Sequence, residues 1–173
     1  MRQLFFIVLY CLFSCGLTAQ KDPEFPKEFI MHVRLHGGMV TNFHQFSPDQ
    51  FTGGIQLIPQ YTFLVHTMRG GIIADAFYTG KKLQAAFGPT VSLKLKTITA
   101  GPLGSAANIH LSVDYLLGTQ QERLIGGGIN ADVLNWIVIG VSAHRDYHLN
   151  TWWFQNTVAV RISKLKKKKN PLD

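Results

Sequence analysis

Apolar and polar residues alternate with period two along most of this chain, which sends successive side chains to opposite faces of extended strands. The clearest case lies in Lys82–Thr97. There Leu83, Ala85, Phe87, Pro89, Val91, Leu93 and Leu95 share one face, and Gln84, Ala86, Gly88, Thr90, Ser92 and Lys94 share the other. Earlier, Phe29, Met31, Val33, Leu35 and Met39 oppose His32, Arg34 and His36. In the next segment Phe51, Ile55, Leu57, Pro59, Tyr61 and Phe63 oppose Thr52, Gln56, Gln60 and Thr62. A third strand, from His66 to Tyr78, sets Met68, Ile72, Ala74, Ala76 and Tyr78 against Arg69 and Asp75.

The second half repeats the pattern. Ile109, Leu111, Val113, Tyr115 and Leu117 oppose Asn108, His110, Ser112 and Asp114. Ile125, Ile129 and Val133 oppose Asn130 and Asp132, and Ile137, Ile139 and Val141 oppose Trp136, Ser142 and His144. Last, Trp152, Phe154, Val158, Val160 and Ile162 oppose Gln155, Thr157 and Arg161. Turn residues separate most of these runs: Ser47-Pro48-Asp49, Thr79-Gly80-Lys81, Ala100 to Gly104, Gly118-Thr119-Gln120 and Asp146 to Asn150. No capped helical period interrupts them. The expectation is an all-β domain over 29–163, with eight antiparallel strands of about ten residues closing up-and-down into a barrel without free edges.

Alternation alone does not say which face is inside. A soluble carrier barrel keeps its apolar face around a ligand, whereas a membrane barrel is inverted, with a polar lumen. Water-facing strands are normally rich in Lys and Glu, near a quarter charged, but here only 16% of residues are charged. The polar faces carry Gly, Ala, Ser, Thr, Gln, Asn and His, with isolated charges of both signs. Arg34, Arg69, Lys94 and Arg161 mix with Asp75, Asp114 and Asp132, and with His110 they are expected to form a polar lumen network, since buried charges require partners. Aromatics cluster toward strand ends: Phe29, Phe51, Tyr61, Phe63, Tyr78, Tyr115, Trp152 and Phe154. All but Phe51 are taken as membrane-interface anchors. The inverted, transmembrane reading is preferred over the soluble lipocalin-like carrier.

The ends change the picture in two ways. Residues 1–19 read as a signal peptide, with Arg2, an apolar run from Leu4 to Phe13 and small residues at Gly16 to Ala19. A second reading takes Leu12-Phe13-Ser14-Cys15 as a lipoprotein box with Cys15 lipidated, which Phe13 fits poorly. Both cysteines lie in this leader, so no disulfide or thiolate metal site is expected in the mature chain. The net charge of +7 is also local. Without Arg2 and the tail lysines, Lys164 and Lys166 to Lys169, eleven basic residues face ten acidic ones. A nearly neutral exported body without a basic stripe excludes nucleic acid as a partner.

The strand pattern of the whole mature chain resembles the small eight-stranded outer-membrane barrels of Gram-negative bacteria, the OmpA-transmembrane-domain and OmpX type. The Ala19-Gln20 junction and the Ile58 to Phe63 stretch are similar to small porin-like barrels of Bacteroidota. The resemblance implies the cell outer membrane, contact with its lipid, and both termini in the periplasm. Residues 20–28 are then a periplasmic segment and 164–173 a periplasmic lysine-rich tail, able to contact an acidic envelope protein. Such barrels often end on an aromatic residue, which the tail replaces here.

Candidate chemistry is sparse. His110, Ser112 and Asp114 share a face, and His110-Leu111-Ser112 is similar to the His-x-Ser pair of one outer-membrane lipid A deacylase family. Neighbours at i and i+2 stand ~6.5–7 Å apart, however, and nucleophile and base must touch. His32 and His36 lie ~13 Å apart along a strand, too far to share a metal. His144 and His148 are placed at a loop edge. Gly126 to Gly128, Gly53-Gly54 and Gly70-Gly71 are read as tight curvature or a bulge, and Pro59 and Pro89, each forfeiting a ladder hydrogen bond, as a bulge or a strand end. No catalytic residue, metal or cofactor is expected, and the role expected is a non-enzymatic structural or accessory subunit of an envelope complex. The alternatives are a lipid-modifying enzyme using His110 and Ser112, and the soluble carrier.

Overall fold

The computed structural model describes residues 29–43, 49–65, 67–99, 105–133 and 137–163. The expected leader, the 20–28 segment, the lysine tail, Ser47 and Pro48 of one expected turn and Ala100 to Gly104 of another lie outside the described residues, as do His66 and Trp136. Eight strands follow in order: β1 Phe29–Thr41, β2 Gln50–Leu64, β3 Met68–Thr79, β4 Lys82–Thr99, β5 Ser105–Gly118, β6 Arg123–Val133, β7 Ile137–Asp146 and β8 Thr151–Ser163. Each pairs antiparallel with the next, and β1 pairs with β8, so the sheet closes on itself as an all-β barrel. The third strand starts at Met68, two residues later than the pattern suggested.

The tight connections use the backbone their residues allow. Gly80 and Lys81 both take positive φ, 55° and 64°, the two-residue hairpin turn whose twist matches the flanking strands. At β7–β8, the Asp146 Oδ1 accepts from the amides of His148 at 2.8 Å and Leu149 at 3.0 Å, and Asn150 takes φ 56°. Asp146 thereby supplies a local turn that a longer side chain would not.

The pairings fix how far the strands are staggered. Ile30 pairs with Gln60, which leads through Gly71, Thr90, Asp114, Gly126, His144 and Trp153 back to Val40, ten residues further along β1. Ten residues of stagger over eight strands tilts them about 40° from the barrel axis. Both described ends, Ile30 and Ser163, pair at one mouth, opposite the hairpins β3–β4, β5–β6 and β7–β8.

The expected bulges fall elsewhere. Pairing keeps the same register on both sides of Pro59 and Pro89, and across Gly126 to Gly128. The shifts occur at Thr62/Leu64, Lys94/Lys96 and Ile98/Thr99. The glycines serve close approach instead: a Cβ on Gly88 would lie 1.8 Å from the Tyr115 carbonyl oxygen, and one on Gly127 2.0 Å from that of Ser112. A narrow, steeply coiled barrel brings neighbouring backbones that near only where no side chain intervenes.

The distribution of side chains is the reverse of a water-soluble domain. Among the described residues, 24 buried side chains are polar or charged and ten are apolar, while 32 large apolar side chains are exposed.

Candidate functional site

The lumen has two layers. Toward the hairpin end, Phe77 and Trp153 meet edge to face with centroids 5.4 Å apart, and Ala86, Leu116 and Leu124 pack round them with Ile58 and Ile73. This apolar cap was not foreseen. Its signal was present: Phe77 and Trp153 each sit one position out of phase with an outward aromatic, Tyr78 and Trp152, so the period of two turns them inward.

Beneath the cap lies a hydrogen-bonded interior. Asp75 on β3 holds His36 Nε2 at 2.9 Å and accepts from Gln56 Nε2 at 3.0 Å, and Arg34 donates to Gln56 Oε1 at 3.4 Å. Asp114 on β5 accepts from Thr90 Oγ1 at 2.5 Å and lies 3.3 Å from His144 Nε2. Asp132 on β6 has Arg69 Nη1 at 3.8 Å and His110 Nδ1 at 3.5 Å. Asp75, Asp114 and Asp132 thus each face one histidine from a different strand, joining β1, β3, β5, β6 and β7 across the interior. Thr97 on β4 donates to Asn108 on β5 at 2.7 Å just past the Lys94 bulge, which has carried Thr97 inward and Ile98 outward.

Of the eight expected lumen residues, Arg34, Arg69, Asp75, Lys94, His110, Asp114 and Asp132 are buried and Arg161 is half-buried. Glu122 and Asp146, not anticipated as lumen groups, are also buried, Glu122 accepting from the Gln120 amide at 2.7 Å. His144 keeps the polar face that the alternation of the seventh strand gives it, but it is a buried lumen residue on Asp114 and not a loop-edge group, because even positions of β7 point inward. His148 alone lies in the loop.

His110, Ser112 and Asp114 point inward together but are engaged separately. Ser112 Oγ donates to the Gly128 carbonyl at 3.4 Å and accepts from Asn130 Nδ2 at 3.3 Å, while His110 faces Asp132 and Asp114 faces Thr90 and His144. Among the described residues, no group of three or more His, Asp or Glu side chains is placed to hold a metal ion.

The outward aromatics form two sets. Phe29, Tyr61 and Phe63 stand at the mouth where Ile30 and Ser163 pair, with Phe29 opposite Tyr61. Tyr78, Trp152 and Phe154 stand at the hairpin mouth, where Trp152 stacks on Phe154 at 6.2 Å and Arg145 lies 5.2 Å over the Trp152 ring. Tyr115 is set three residues inside the end of β5. From Trp152 to Ile162 the tilted strand climbs roughly 25 Å along the barrel axis.

The molecule is therefore a closed eight-stranded antiparallel barrel with a polar, apolar-capped interior and an apolar exterior. No family model matches the chain, and neither does any curated protein. A solved structure described as "De novo design of transmembrane beta-barrels" is similar, with 11% sequence identity and a TM-score of 0.46, over 83% of this chain and 98% of that one.

Proposed function

We propose that the chain spans the outer membrane of a Gram-negative envelope as a small barrel of the OmpA and OmpX type, acting as a non-enzymatic structural or accessory subunit. The observation that carries this reading is the inversion: polar and charged groups buried in the lumen, and aliphatic side chains such as Leu35 (61% exposed) and Val141 (57%) covering the outside. In water that exterior would be one apolar patch far beyond the few hundred Å² that soluble monomers tolerate. In a bilayer it is solvated, and the roughly 25 Å between aromatic sets matches the apolar band of such barrels. A soluble carrier needs the opposite arrangement, an apolar interior.

The capped lumen favours a scaffold over a diffusion pore, and the separate bonding of His110, Ser112 and Asp114 favours packing over catalysis. The lysine tail, which follows β8 in sequence, supplies a periplasmic contact for an acidic envelope protein. Gel mobility in detergent, with and without boiling, tests the membrane reading. A compact band that shifts on heating supports it, and a monomer soluble without detergent refutes it. Salt-sensitive capture of an envelope partner that disappears on deleting Lys164 to Asp173 supports the accessory role; an identical partner set without the tail refutes its use as the contact.

A further inference from the structure

One side chain breaks the apolar exterior. Among the described residues, Asn156 is the single polar residue, the phenol of Tyr115 apart, facing outward between the two aromatic sets. It sits in mid-strand, four residues from Trp152 and six from Ile162, paired with Gly37 of β1 and Val141 of β7. Its side chain is exposed, and the exterior around it is hollowed into a groove of about 1050 Å³. Gly37, Gly127 and Ala143 line the low ground, with Phe51 and Phe154 to one side.

An amide at that depth has a donor and an acceptor that hydrocarbon cannot satisfy, and leaving them unmet in lipid costs free energy. Small residues beside it allow another wall to approach closely, as small residues do where membrane segments pack. We infer that this groove is the contact surface for a second copy of the chain, paired through Asn156.

Symmetry selects that occupant. Two copies inserted the same way round are related by a two-fold axis along the membrane normal, and such an axis keeps every residue at its own depth. At the depth of Asn156 the copy's outer wall offers one amide, its own Asn156, and on β5 the phenol of Tyr115. An amide is self-complementary, each giving an N–H and taking one at its oxygen. An acyl chain would fill the groove but leave the amide unpaired.

The inference rests on the membrane reading, so the test reads insertion and pairing separately. Full-length mature barrel is refolded in density-matched detergent micelles, folding is scored by heat-modifiable mobility, and association is measured by sedimentation equilibrium at several protein-to-detergent ratios. The expected result is a monomer–dimer equilibrium that Asn156→Leu weakens by ~3- to 30-fold. Gly37→Leu fills the groove and should abolish association without harming the barrel, since a Cβ there meets Phe51 only at 3.8 Å. A heat-modifiable barrel that stays monomeric at every ratio, or a dimer indifferent to both substitutions, overturns the pairing and leaves the membrane reading standing. Failure to form a heat-modifiable barrel at all overturns both.

Discussion

Arginine placed along the outside of β7 should report depth in the bilayer. Ile137, Ile139 and Val141 all point outward, 46%, 48% and 57% exposed, on one strand with the same neighbours on either side. With strands tilted about 40°, each residue climbs ~2.5 Å along the axis. Val141 lies midway between Ile137 and Arg145, so the two ends of the series differ in depth by about 10 Å, most of a hydrocarbon leaflet. An arginine near the midplane of such a barrel costs about 2–4 kcal/mol and near the interface about 0–1. Val141→Arg should therefore lose about 2–4 kcal/mol, Ile137→Arg no more than about 1, and Ile139→Arg an intermediate amount. Reversible urea titrations in phospholipid vesicles, followed by tryptophan fluorescence, give these differences directly. Equal costs at all three positions, or the largest at Ile137, would refute both the inside-out assignment and the tilt taken from the register.

Asp75→Ala should destabilise by ~1–3 kcal/mol for each of the two buried donors it strands, Gln56 Nε2 and His36 Nε2, measured in the same titration. Gly88→Ala should cost ~1–3 kcal/mol or more, because its Cβ meets the Tyr115 carbonyl at 1.8 Å, while Gly37→Ala should stay within ~1 kcal/mol. Similar values for the two glycines would count against the close-approach account. Ser112→Ala should leave the acylation pattern of lipid A unchanged by mass spectrometry of cells carrying either form; loss of an acyl chain that depends on Ser112 would establish the enzyme alternative.

How much of this was legible in the sequence follows from what period two can and cannot encode. It assigns a face, so Arg34, Asp75, Asp114 and the opposing Leu35, Ala74 and Val113 were placed from the alternation alone. It does not assign a partner across the barrel. That Asp75 meets His36, and Asp114 meets His144, depends on a stagger of ten residues that only the closed ring reveals. Bulges escaped for a similar reason: Pro59 and Pro89 look disruptive, yet proline loses a donor without needing an extra residue, whereas the shift at Lys94/Lys96 has no residue type to announce it. The apolar cap was hidden because Phe77 and Trp153 stand next to outward aromatics. Asn156 departs from the alternation of β8, standing in the outward phase with Phe154 and Val158, so period two gives it no role.

The seam between β1 and β8 has a consequence for the order of events in time. Ile30 pairs with Ser163, so closure joins positions separated by nearly the whole described chain. Holding the ends of a flexible loop of that length together costs roughly 4 kcal/mol in chain entropy beyond the constant term. Hairpins such as β3–β4 can form early, but the seam can zip only after the last strand has been delivered. Until then β1 and β8 each present an unsatisfied edge, open to pairing with a neighbouring chain. Kinetically the protein should behave as a topology dominated by distant contacts, slow to finish and cooperative when it does. A chain stopped before Thr151 would keep an open sheet in which Ile30 to Thr41 pair with β2 alone, and its fate would be pairing with other chains rather than a smaller barrel.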